Sequence, residues 1–214
     1  MALIHALAHS VDPINQALQR DWPEAVRMNL LDDSLSADLA RSGTGLDAAM
    51  HQRFEALAAY AEGTGAQAIL FTCSAFGACI EAVANKRPYM PVLKPNEAMV
   101  AEARALAGAQ GRIGLIASFA PTLASMPSEF PADIDLRTAL ADGALDALNA
   151  GDGAQHDAMV VNAARQLKGQ GCTAIALAQF SMARARQAVL DSVGLPVLTT
   201  PDSAVRLLRR LLGA

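Results

Sequence analysis

Short apolar runs alternate along this chain with longer stretches in which apolar residues recur at helical spacing. The runs at 2–8, 25–31, 68–72 and 91–93 read as strands, as do those at 112–117, 134–137, 173–178 and 196–198. They are largely continuous rather than alternating, which is how a parallel strand covered on both faces reads. Helical patterning fills 13–20, 46–62, 75–84, 97–108, a short stretch from Ala120, and then 139–149, 154–170 and 182–193. At the end, Arg206, Arg209 and Arg210 punctuate Leu207, Leu208, Leu211 and Leu212, the pattern of an amphipathic helix docked by its leucine face. Strands alternating with helices predict βαβ units with right-handed crossovers. Proline and glycine mark the joins, notably Gly43-Thr44-Gly45, Pro127 with Pro131, and Gly151-Asp152-Gly153.

The pattern is written twice. Residues 65–76 align without gaps on 171–182, which sets Cys73 opposite Gln179. Each copy is an apolar run ending in a polar group, followed by a helical stretch and then a Pro-Val-Leu strand, Pro91-Val92-Leu93 or Pro196-Val197-Leu198. Two related, pseudo-symmetric α/β halves are therefore expected, each a mostly parallel sheet of about four strands flanked by helices. Residues 1–95 with 202–214 are assigned to the first and 96–201 to the second. A site is expected in the cleft between them.

Composition narrows the function. At 214 residues and 52% apolar content the chain can bury a core as one large domain or two small ones, and 4% aromatics favour helices packed on a parallel sheet. The net charge of −4 is spread along the chain, which gives nucleic-acid binding no electrostatic basis. The apolar start lacks the basic residues and cleavage site of a secretory signal, and no run reaches a bilayer's width. Three cysteines without paired spacing do not make a disulfide framework. A cytoplasmic protein with no membrane or nucleic-acid partner is expected.

Several motifs carry little. Gly43-x-Gly45-x-x-Ala48 and Gly63-x-Gly65-x-x-Ala68 mimic a dinucleotide fingerprint, but neither follows a strand and opens a helix. The Gly43 region reads as a linker, with a loop over a site as the alternative. His5 and His9 would share one face of a strand. With no HExxH or CxxC pattern they read as satisfied core or cleft-edge histidines, and no metal is expected. No phosphate cup accompanies Lys86, Lys94 or Lys168, so no pyridoxal phosphate or other cofactor is called for.

Cys73 is the candidate catalytic residue. It stands between a strand's C-terminal tip and a helix start, where open α/β sheets bind ligands. Backbone N–H groups there would stabilise a thiolate, lower its pKa and hold a carboxylate. Cys79 faces another side of its helix and Cys172 begins its strand, so both read as structural. Strand-tip residues supply the candidate substrate contacts: Ser10, Thr72, Ser74, Ser118, Thr122, Gln179, Ser181 and Lys94, with Thr199 beside them.

Thr72-Cys73-Ser74 after an apolar strand, followed by the Pro-Val-Leu strand, resembles the aspartate/glutamate racemase superfamily, which includes hydantoin racemases, maleate isomerases and arylmalonate decarboxylases. Arg112-Ile113-Gly114-Leu115-Ile116-Ala117-Ser118 with Pro121-Thr122 is similar to the strand and loop that open its second half. The resemblance spans nearly the whole chain. It implies two pseudo-symmetric domains, a homodimer, and cofactor-independent proton chemistry beside a carboxylate, with a cysteine from each half flanking the substrate. Gln179 stands where the second cysteine is expected, and an amide cannot accept and deliver a proton near neutral pH. Ser181, nearby, has no visible base to activate it. The expectation is a racemase-like isomerase using Cys73 alone on a small carboxylate. Alternatives are a racemase whose second acid is Ser181, a histidine or water, a one-thiol decarboxylase, and an inactive carboxylate-binding protein.

Overall fold

The structure, a computed structural model, describes residues 1–43, 45–108 and 111–214. Its chain divides into two compact units, Met1–Pro95 with Ala204–Ala214, and Asn96–Ser203.

In the first unit β1 (Ala2–His5), β2 (Met28–Leu31), β3 (Ile69–Phe71) and β4 (Val92–Leu93) form a sheet of order β2-β1-β3-β4, parallel throughout. Helices α1 (Val11–Asp21), α2 (Ser34–Ser42), α3 (Ala48–Gly63) and α4 (Gly77–Lys86) connect the strands. Asp47 starts α3 by accepting the Met50 N–H at 2.9 Å. Phe54 of α3 packs on Phe71 and Phe76, with ring centroids 5.2 and 4.9 Å apart, and these rings anchor the core under β3. Arg87, past the end of α4, is buried and forks onto Glu55 of α3 at 2.7 and 3.2 Å, tying the two helices together.

The second unit repeats the plan. α5 (Glu97–Ala107) leads to β5 (Arg112–Ala117), followed by α6 (Ala120–Ser125), β6 (Asp135–Leu140), α7 (Ala144–Asn149), α8 (Gly153–Gly169), β7 (Ala174–Leu177), α9 (Arg186–Val193) and β8 (Val197–Thr199); α10 (Thr200–Leu211) begins in this unit and belongs to the first from Ala204 on. The sheet order is β6-β5-β7-β8, again all parallel. Central β5 needs Gly114, because a Cβ there would lie 2.9 Å from Leu167 of α8 and 3.0 Å from Ile175 of β7. The expected α/β architecture, two four-stranded parallel sheets flanked by helices, is the one observed.

Boundaries differ in instructive places. The helix expected from residue 139 starts at Ala144, because β6 stays paired with β5 to Leu140 and Gly143, at φ 74°, makes the turn. The strand expected over 2–8 ends at His5, so His9 falls in a one-turn 3-10 helix (Ala8–Ser10) and shares no strand face with His5. Helix α2 was not anticipated. The Gly43-Thr44-Gly45 motif includes Thr44, which lies outside the described residues.

Candidate functional site

Each sheet presents a polar residue at the tip of its third strand. Cys73 and Gln179 both follow their strands by two residues, in similar extended backbone (φ −125°, ψ 121° and φ −128°, ψ 146°), and each precedes a 3-10 helix. Those 3-10 segments, Ser74–Phe76 and Phe180–Ala185, stand where regular helices were expected to begin at 75 and 182.

At the first tip, half-buried Cys73 packs against the core of its unit. Its thiol lines a small recess with Ile4, His5, Ala6, Leu35, Phe54 and Phe71. Burial pushes the thiol pKa up, while the Ala75 N–H and the nearby Ser36 hydroxyl, which also lies 3.4 Å from the Ala6 carbonyl, pull it down. Burial wins. The expectation of a lowered thiol pKa is therefore corrected: a single short 3-10 turn supplies one amide, too little to offset loss of water from an apolar recess. Cys79 is fully buried in the same core, and Cys172 is buried in the second unit.

Ser36 comes from α2, and a charged network sets that helix in place. Arg53 of α3 bonds Asp32 at 2.6 and 2.5 Å, Asp38 at 2.6 Å, and also Ser34. Asp38 is held below its ordinary pKa first by its bond from Arg53. Sequence reasoning missed Ser36 and this network. Their signal was Leu35 and Leu39 at i, i+4 spacing behind Asp33, short enough to pass for a polar loop.

Thr72, beside Cys73, is buried, and its Oγ1 lies 2.9 Å from His5 Nδ1. Burial lowers the His5 pKa, only partly offset by its hydrogen bond with Asn29. Ser74 is half-buried in the 3-10 turn. Ser10 is buried at the end of its own 3-10 helix. Lys94 follows β4 and pairs with Glu81 at 2.8 Å.

The second tip is organised differently. Gln179 Oε1 accepts the Ser118 N–H at 2.7 Å and the Ser118 hydroxyl at 3.0 Å. Because a backbone N–H can only donate, the carboxamide oxygen must face Ser118, and the amide NH2 is turned away as a fixed donor. Thr122 is buried within α6 and Ser181 is half-buried after β7. Buried Thr199 accepts the Asp202 N–H at 3.2 Å, capping α10. Among the described residues no group of three or more His, Cys, Asp or Glu is placed to hold a metal, and no helix is long and apolar enough to cross a membrane.

A family model described as Asp/Glu/Hydantoin racemase matches residues 6–208. Solved structures with the same fold include Picrophilus torridus aspartate racemase (TM-score 0.73, 12% identity, 100% of this chain and 94% of that one). Glutamate racemase from Thermus thermophilus, solved with beta-chloro-D-alanine, is similar at TM-score 0.68 and 21% identity, covering 99% of this chain and 79% of that one. Allantoin racemase from Klebsiella pneumoniae gives TM-score 0.66 and 16% identity over 99% and 86%. No curated protein matches the chain by sequence.

Proposed function

The chain belongs to the Asp/Glu/Hydantoin racemase family, and from that premise we propose a cofactor-independent enzyme that moves a proton at the α-carbon of a small carboxylate with Cys73 as its one thiol. The observation that carries this reading is the inequality of two equivalent strand tips. One ends in a thiol contacted by an amide N–H and a hydroxyl, the other in an amide whose oxygen is already occupied.

Cys73, as a neutral thiol at rest, must lose its proton to act as a base and is ready to give it as an acid. The Ala75 N–H and Ser36 hydroxyl steady the thiolate in between. Gln179 is assigned a substrate-binding role through its NH2 group, suited to a carboxylate or carbonyl oxygen, and Gln179 replaces the second thiol of two-cysteine racemization. Ser74, Ser118, Thr122 and Ser181 are assigned to binding and to steadying enolate charge. Thr72 and Lys94 contribute less, since their polar groups are engaged with His5 and Glu81.

The resting thiol also favours a second reading, a lyase in which Cys73 protonates the enolate left by loss of carbon dioxide. One experiment separates the two. Enantiopure amino acids, hydantoins and substituted malonates are incubated in D₂O and followed by NMR. α-Deuteration lost on Cys73→Ser supports the first reading, carbon dioxide release lost on the same change supports the second, and turnover surviving Cys73→Ser rejects both.

A further inference from the structure

His5 is fully buried beside the reacting thiol, yet the proposed chemistry does not use it. Its protonation form can be read from its neighbours, starting at Arg27. The Arg27 Nε–H donates to Asn15 at 2.9 Å, and since a guanidinium can only donate, the atom it meets is the Asn15 oxygen. The other end of Asn15 meets the Val11 carbonyl at 2.8 Å, which can only accept, so that end is the NH2. This group also reaches Asn29 at 2.9 Å and therefore faces the Asn29 oxygen. His5 Nε2 meets that same oxygen at 2.9 Å and must carry the proton. A neutral ring then leaves Nδ1 bare, and it takes the Thr72 hydroxyl proton across 2.9 Å, the Ile4 carbonyl being the more distant acceptor at 3.4 Å. The donors converge on the Asn29 oxygen from both ends, and each of the two asparagine amides has a single allowed orientation.

From this we propose that His5 is a positioning residue: locked in its Nε2-protonated form by the Arg27, Asn15 and Asn29 chain, it fastens Thr72 and so holds Cys73 in its recess. Thr72 is the residue before the thiol, and its backbone N–H already pairs with Ile4 at 3.0 Å, next to His5 on β1. The His5 bond adds a side-chain tie at the same point. Its second consequence concerns Thr72, whose hydroxyl proton is spent inward, leaving only oxygen lone pairs for any other partner.

The inference rests on Cys73 being the reacting group, but its tests read no turnover, so the two fail separately. Nitrogen-15 NMR of the wild-type protein near pH 7.5 should show one buried histidine in the Nε2-protonated form. A His5 ring protonated at Nδ1, or at both nitrogens, overturns the proposal. Alkylation of Cys73 by iodoacetamide, read by peptide mass, tests the tie itself. His5→Leu should release the tip toward water and speed alkylation about three- to tenfold, the scale of one lost hydrogen bond. His5→Asn, whose carboxamide oxygen can replace Nδ1 as acceptor, should return the rate toward wild type. An unchanged rate in His5→Leu, or no difference between the two variants, overturns the proposal. If His5→Leu does not fold, Asn29→Leu replaces it: both neutral ring forms should then appear in the NMR spectrum, and persistence of the Nε2 form alone counts against the chain as the lock.

Discussion

The tips of β3 and β7 hold the same place in two sheets of the same strand order, and their side chains sit in different surroundings. At β3 the polar residue is a thiol in an apolar recess, contacted by Ala75 and Ser36 and steadied from behind by Thr72 and His5. At β7 it is an amide fastened to Ser118 by two hydrogen bonds. A duplicated scaffold supplies two equivalent positions, but the chemistry available at each depends on side chains brought by neighbouring strands and helices. Gln179 is rigid because its oxygen is bound, which makes it a good fixed donor and a poor proton carrier. Cys73 has an adjustable proton, because burial and hydrogen bonding oppose one another at the sulfur.

The sharpest way to break this comparison is to remove each tip in turn. Cys73→Ser should lower α-proton exchange by about a thousandfold, the scale of a lost acid/base group. Gln179→Leu should lower it only about tenfold, the scale of a lost binding hydrogen bond. Equal losses, measured as exchange rates on one substrate, would mean that the two tips share the proton chemistry.

Stability should rank them the other way. Gln179→Leu strands the N–H of buried Ser118 and should cost about 1–3 kcal/mol in urea unfolding. Cys73→Ala, at a half-buried position, should cost about 1 kcal/mol. A third substitution calibrates the scale away from both tips. Arg87→Leu takes from half-exposed Glu55 and Glu62 their buried partner, leaving Glu55 with Lys86 and Glu62 with the Tyr89 hydroxyl, and should cost about 1–2 kcal/mol, below the value for a wholly buried pair.

The tips also differ in pH response, because only the first carries titrating groups. Alkylation of Cys73 should rise with pH through a midpoint above the ordinary thiol value of about 8.5. The sign for stability follows: with the folded-state pKa raised, the contribution of Cys73 is present below about pH 8.5 and lost as pH rises through the folded-state value. His5 works in the opposite sense. Its folded-state pKa is depressed, so its contribution is present above about pH 6.5 and lost as pH falls through the folded-state value. His5→Asn should flatten the acid limb of a urea-midpoint profile, and an unchanged limb would place the titrating group elsewhere. Smallest of all, Ser36→Ala removes one hydroxyl from the sulfur and should slow alkylation at fixed pH about two- to threefold.

Much of this was legible in the sequence. Continuous apolar runs located the eight strands of the described residues, and the echo of 65–76 in 171–182 placed Cys73 and Gln179 at equivalent tips, because both signals are local. What could not be read was the surroundings of the thiol. Its acidity depends on the apolar wall of Phe54 and Leu35 and on Ser36, residues far from Cys73 in sequence. His5 looked like a satisfied histidine, and it is one. The direction of its hydrogen bonds emerges only when Asn29 of β2 is brought to it, with Asn15 of α1 and Arg27, just before β2, behind that residue. Helix α2 went unread because nine residues with three serines and two leucines carry too few large apolar positions to show a period.

The central claim is that one tip alone carries a proton. Its most direct measurement compares, for one enantiopure substrate in D₂O, the rate of α-deuteration with the rate of inversion. A single thiol working on one face predicts deuterium incorporated with the starting configuration kept, and both signals absent in Cys73→Ser. Inversion as fast as deuteration in the wild-type protein would contradict it, because a second proton carrier would then have to act on the opposite face.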